Sequence, residues 1–163
     1  MRTSTLGRPP ASAGSNDGLD GTPHPDAAGV ESTLRRIFRA GGFHAFPTNP
    51  ADRDTLLAVV AGTLERQRPY AEQEINEALI AWLASVRGTP DHVTLRRRMI
   101  DCGFLKRTPN GSRYYLNYGR VVDTLGTGSA EVDAGGIVAG ILREREVRKR
   151  AHLARSETTS AGG

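Results

Sequence analysis

Apolar residues cluster in the middle of this chain and recur there at helical spacing, whereas both ends are polar. From Glu31, the residues Leu34, Ile37 and Phe38 fall on one helical stripe that stops at Gly41 and Gly42, a pair suited to a helix end. Asn49 is placed to cap a second helix with Pro50 at its first position, where the N–H that proline lacks is not needed. Its apolar stripe is Leu56, Leu57, Val59, Val60 and Leu64, which carries the predicted helix to about Gln67. A third helix follows Tyr70, with Ile75, Leu79, Trp82, Leu83 and Val86 at helical spacing and Glu72 and Glu74 near the positive end of its dipole. Thr89, Pro90 and Asp91 start a fourth, over residues 90–102, with Leu95, Met99 and Cys102 on its apolar side, Val93 and Ile100 behind them, and Gly103 as its stop.

The pattern then changes. Residues 104–107 and 112–116 flank Thr108-Pro109-Asn110-Gly111, a hairpin signal in which Pro109 favours a type I turn with Gly111 in the left-handed region. That register sets Arg107 opposite Arg113, and a bound anion would relieve the repulsion; the alternative register pairs Arg107 with Tyr114. After Tyr118 the chain loosens through Gly126, Gly128, Gly135 and Gly136. From residue 137 to about 155 a helix returns, beginning with Ile137, Val138, Ile141 and Leu142 and continuing as the charged run from Arg143 to Arg150. Glu144 with Arg148 and Glu146 with Arg150 are i,i+4 pairs in the favourable direction. This run reads as a charge-laced exposed helix, as a nucleic-acid contact, or as a dimerisation helix.

Composition sharpens this outline. Only 37% of the 163 residues are hydrophobic and 6% aromatic, against roughly 45 to 50% apolar in a typical domain, and every aromatic side chain lies between Phe38 and Tyr118. The expected architecture is mainly α with a small β-hairpin: one winged helix-turn-helix-like domain over residues 30–118, between a disordered tail at 1–29 and a Gly-rich linker at 119–136. The charged helix at 137–155 and a disordered end at 156–163 complete it. Residues 1–29 cannot bury enough apolar surface to offset the entropy of ordering.

The formal charge is +4 with an isoelectric point near 9.7, and residues 31–118 by themselves carry a net +4. Arginine outnumbers lysine 20 to two, a ratio that genomic composition produces without any demand for guanidinium chemistry. Cys102 is the single cysteine, and His24, His44, His92 and His152 lie far apart, so neither a disulfide, a metal site nor a cofactor is expected. No stretch approaches the roughly 18 consecutive apolar residues of a membrane span, and a soluble cytoplasmic protein is the expectation. Without a phosphate-binding glycine loop, a metal spacing or a nucleophile–base motif, the chain does not read as an enzyme.

Three helices followed by a hairpin with a basic tip is the order of a winged helix-turn-helix, whose helix before the hairpin can enter the major groove of DNA. Arg96, Arg97 and Arg98 on that helix spread over about 200 degrees, so at most two face one partner. Arg97 and Arg98 point most nearly away from Leu95 and Met99, and with Lys106, Arg107 and Arg113 they are the candidate contacts to phosphates or a guanine edge. Asp101, four residues after Arg97 and three after Arg98, offers the competing arrangement in which either arginine pairs on the helix surface. A second set comprises Tyr70, Glu72, Glu74, Asn76, Arg96 and Tyr114. The two tyrosines either stack on a ligand or cover the thin core; Asn76 either holds a ligand or ties loop backbone. Glu72 and Glu74, two apart on a helix, diverge too much for an acid–base pair and are read as stabilising the helix start or pairing with Arg96.

Several blocks in order resemble one bacterial family: Phe38-Arg39-Ala40-Gly41-Gly42-Phe43 with Phe46-Pro47, then residues 70–76, 94–107 and 111–114. It is the domain of unknown function numbered twenty-eighty-seven, and the resemblance covers about residues 33–116. Members stand alone or follow an ArsR-type winged-helix regulator, which implies a role near transcription and no established activity. Residues 1–30 are too few and too polar to form such a regulator. The chain departs from the family at Ala71, where a serine or threonine cap is usual, and in a longer segment from Leu79 to Pro90. Two functions are therefore expected: a transcriptional regulator or accessory regulatory domain that binds double-stranded DNA, or a protein-interaction or small-effector module, homodimeric through its C-terminal helix.

Overall fold

Asp26 begins the first helix. Its carboxylate accepts the Gly29 N–H at 2.8 Å and caps α1, Ala27–Ile37, so this helix starts some four residues before the apolar stripe announces it. The computed structural model describes residues 25–126 and 132–160. The tail expected at 1–29 lies outside the described residues as far as residue 24, and its last residues belong to α1 and its cap.

Helix α2, Pro50–Ala61, opens as its sequence requires, with the Asn49 side chain accepting the N–H groups of Ala51 and Asp52. Every residue from Thr55 to Ala61 is buried, the condition of a helix apolar on all sides. It ends at Gly62, well before Gln67. Thr63 Oγ donates to the Val60 carbonyl at 2.7 Å, Leu64 stays buried beyond the helix, and Gln67 turns the chain with a φ of 57°. That turn delivers Tyr70 to the hairpin, where Tyr70 and Tyr114 exchange two backbone hydrogen bonds of 2.8 and 2.9 Å.

Helix α3, Glu72–Ser85, starts from Ala71, which has no side-chain acceptor; Glu74 Oε2 takes the Ala71 N–H at 2.8 Å, one half of a capping box. Helix α4, His92–Asp101, is capped by Asp91 and buries Leu95 and Met99 against α3 and α2. Between these helices the chain lies against Phe43: the Phe43 N–H donates to Val86 at 3.0 Å and the Thr89 N–H to Phe43 at 2.9 Å. Phe43 is also the hub of the aromatic core, edge-on to Phe38, Phe46 and Trp82 at centroid distances of 6.5, 5.0 and 6.1 Å.

Strands β1, Leu105–Arg107, and β2, Tyr114–Leu116, pair antiparallel with Leu105 opposite Leu116, Lys106 opposite Tyr115 and Arg107 opposite Tyr114. The register that opposes Arg107 to Arg113 is therefore not adopted. Arg113 instead stands in the loop, its carbonyl accepting the Thr108 N–H at 2.9 Å. Burial decides the choice: the observed register turns Tyr114 and Leu105 inward together, each 1% exposed. The Thr108–Gly111 turn closes as expected, with Gly111 at a φ of 72°.

The stretch expected as a Gly-rich linker holds a helix. Helix α5, Tyr118–Leu125, buries Val121 and Leu125 and packs on α2, so the core continues past residue 118. Tyr118, Val121, Val122 and Leu125 carry the i, i+3, i+4, i+7 signal, which the neighbouring glycines obscure. Residues 127–131 lie outside the described residues. Helix α6, Ala134–Ser160, starts before residue 137 and runs through the end expected to be disordered as far as Ser160. Ala134, Ile137, Val138 and Ile141 bury its first turns against α1. Residues 161–163 lie outside the described residues. Among the described residues no helix is long and apolar enough to cross a membrane.

Candidate nucleic-acid interface

The order of elements in the middle of the fold is helix α2, the bridged residue Tyr70, helices α3 and α4, and the β1–β2 hairpin. Helix α4 and the hairpin adjoin through Phe104 and Leu105, both buried. These two elements carry the five cations that the sequence singles out. Arg97, Arg98, Lys106, Arg107 and Arg113 are all exposed, and none of them forms an ion pair among the described residues. Asp101 takes neither Arg97 nor Arg98 as a partner, so the self-neutralised helix surface is not what forms. Arg98 lies over the Phe46 ring, 5.3 Å from its centroid, and Arg107 over Tyr114 at 5.6 Å. Arg107 Nε also donates to the Gly111 carbonyl at 3.3 Å, which steadies the hairpin tip.

Arg96 behaves differently, because its place on α4 turns it inward toward α3 and the hairpin. Only 12% of its side chain is exposed; it donates to Asn76 Oδ1, meets Glu72 at 3.3 Å and sits 5.4 Å from the centroid of Tyr114. The second sequence-selected set is thus brought together, with Arg96 at its centre. Tyr114 pairs its backbone with Tyr70, whose hydroxyl accepts the Glu65 N–H at 2.7 Å. Both rings are nearly enclosed, at 4% exposure for Tyr70 and 1% for Tyr114, so they cover the core and offer no face on which a base could stack. Glu72 pairs with Arg96 as the sequence suggests, whereas Glu74 turns to Arg68 at 2.9 Å. Arg68, which also lies over the Tyr70 ring at 4.6 Å, joins this set without any local sequence signal, since the turn after α2 brings it there. Replacing Arg96 with Ala removes a charge-assisted hydrogen bond and leaves Asn76 without its partner. Loss of about 2 kcal/mol of unfolding free energy is expected in a urea titration.

Two carboxylates here record how they are held. The Ala71 N–H keeps the Glu74 carboxyl below its ordinary pKa, helped by the charges of Arg68 and Arg113 and opposed by burial. The N–H and hydroxyl of Thr94 do the same for Asp91 at the start of α4. A carboxyl whose pKa is lower in the folded than in the unfolded chain stabilises the fold above the ordinary carboxylate range and loses that contribution as the pH falls through it. The urea midpoint should therefore drop on acidification through this range, and the drop should shrink in Glu74→Gln and Asp91→Asn, both of which start from a lower midpoint at neutral pH.

All eleven selected residues lie inside one matched segment. Residues 43–116 match a family described as an uncharacterized protein conserved in bacteria, DUF2087. Over these residues the chain is similar to the DUF2087 family. The matched segment runs from Phe43 through α2, α3 and α4 to the end of the hairpin. Helices α1, α5 and α6 lie outside the matched residues: α1 and α5 pack on α2, and α6 packs on α1. No curated protein and no solved structure matches the chain. Among the described residues no group of histidine, cysteine and carboxylate side chains could hold a metal ion.

Proposed function

We propose that this domain is a winged helix-turn-helix module that binds double-stranded DNA through α4 and the hairpin, as a transcriptional regulator or an accessory domain of one, within the bacterial cytoplasm. The observation that carries the reading is the contrast along α4 and the hairpin. Arg96 is consumed by Glu72, Asn76 and Tyr114, while the five neighbouring cations stay exposed and form no ion pair among the described residues. Arginine without a carboxylate partner keeps its full charge for phosphate oxygens and its planar fork for a guanine edge. The succession of helix, bridged residue, helix, helix and hairpin supports the same reading, because the helix before the hairpin is the one such modules insert into the major groove.

The deciding measurement is affinity for a random-sequence duplex across a salt series. Binding falls steeply with salt, and Arg97→Ala combined with Arg98→Ala lowers the slope of log K against log salt by about 2, near 0.9 for each phosphate contact removed. Absence of salt-dependent binding by the intact chain rejects the proposal.

A further inference from the structure

Helix α6 changes character along one face. Ala134 and Ile141, seven residues apart, are buried against the domain, and the same row continues as Arg148 and Arg155. A neighbouring row runs from buried Val138 to Arg145, His152 and Thr159. Residues seven apart share a face, so the seam that docks the helix becomes a basic stripe once it has passed α1. Lys149, four residues after Arg145, borders this stripe, while Glu146 and Glu157 fall on the far side of the helix.

The point of departure is well defined. Glu144 meets Arg35 at 3.1 Å, and Arg145 holds the turn after α1 by donating to the carbonyls of Ala40, at 3.0 Å, and Arg39. Beyond these contacts every residue from Glu146 to Ser160 is exposed, a projecting arm about 22 Å long at 1.5 Å per residue. The single ion pair along it is Arg150 with Glu146 at 3.3 Å, so Arg148, Lys149 and Arg155 have no carboxylate partner among the described residues. A stripe of this kind repels a second copy of itself and offers no continuous apolar seam for a coiled coil. Val147 and Leu153, at 66% and 53% exposure, are six residues apart and do not share a face.

We infer that this arm is a second phosphate-backbone contact, which lies along duplex DNA beside the site bound by α4 and the hairpin and lengthens the footprint. The inference rests on the DNA-binding reading above. An arm of about 22 Å spans roughly six base pairs at 3.4 Å per pair, so its contribution depends on duplex length.

The test compares three forms of the full chain on a duplex just long enough for the α4 site and on one about six pairs longer at each end. The forms are the unchanged protein, the Arg97→Ala, Arg98→Ala variant, and a variant with Arg148→Ala, Lys149→Ala and Arg155→Ala. Alanine keeps the arm helical, and circular dichroism verifies it. The arm variant is expected to bind the short duplex like the unchanged protein and to lose affinity on the long one, with a salt slope smaller by about 2 to 3. Equal binding of both duplexes by the arm variant and the unchanged protein overturns the inference and leaves the α4 reading standing. Loss in the arm variant with no loss in the Arg97→Ala, Arg98→Ala variant overturns the α4 reading and, with it, the arm as a second contact beside that site. No binding by the unchanged protein rejects both. A drop from dimer to monomer mass in the arm variant on sedimentation, or transfer of its binding to anionic phospholipid vesicles in preference to DNA, also overturns the inference.

Discussion

Phe43→Ala should lower the unfolding free energy by about 3 to 5 kcal/mol, the range for removing a buried aromatic side chain. The ring is fully buried and meets three others edge-on, Phe38 from the end of α1, Phe46 from the approach to α2, and Trp82 from α3. These elements arrive from different directions and are held by their helices, so the cavity cannot close by a local shift. The backbone of Phe43 also accepts from Thr89 and donates to Val86, which ties the aromatic cluster to the connection that aims α4. Urea unfolding measures the loss, and Phe46→Ala, at a half-buried ring on the edge of the cluster, should cost less. A loss below about 1 kcal/mol for Phe43→Ala would mean that the cluster collapses around the vacancy.

The second large effect belongs to Gly42. A Cβ at this position would stand 2.9 Å from the Arg87 carbonyl oxygen, 3.0 Å from that of Val86 and 3.0 Å from Arg87 Cβ. Two of these are backbone atoms in a turn fixed by the hydrogen bonds to Phe43, so relief requires the α3–α4 connection to move. Gly42→Ala is expected to cost about 1 to 3 kcal/mol by overpacking, with loss of the Phe43–Val86 bond adding to it, and to broaden or shift amide resonances along residues 86–91. Gly103→Ala is the control. Its Cβ would meet nothing within 4 Å, but the residue has a φ of 82°, so the cost is left-handed backbone strain alone, about 1 to 2 kcal/mol. Its effect should stay near the end of α4. Equal spectral changes in both variants would contradict the close-approach argument for Gly42.

Much of the fold could be read along the chain wherever a local pattern carried it. The cap at Asn49 and the stripes of α2, α3 and α4 are each written within a few neighbouring residues, as is the left-handed Gly111, whereas α4 begins at His92 and not at residue 90, because the Asp91 side chain takes the Thr94 N–H and caps it. The hairpin register is not written locally, because two pairings satisfy the turn chemistry and only the burial of Tyr114 and Leu105 selects between them. The end of α2 likewise answers to Tyr70 reaching the hairpin, a contact between residues far apart in the chain. Glycine content hid α5, whose four apolar positions make a stable helix only against the buried face of α2.

At the candidate site, sequence alone determined the membership: a short helix with three successive arginines, a basic hairpin and a polar set from Tyr70 to Asn76, all within the family segment. Tertiary structure decided which of these charges are free. Three adjacent arginines are equivalent as a string, but the helical turn sends Arg96 to Glu72 and Asn76, sets Arg98 over Phe46 and leaves Arg97 in solvent. In the same way the sequence determined that the C-terminal run is a charged helix, and the structure decided where it leaves the domain. Charge pattern is a property of neighbours in the chain, whereas neutralisation depends on distance, and distances between separated segments exist only once the core has packed.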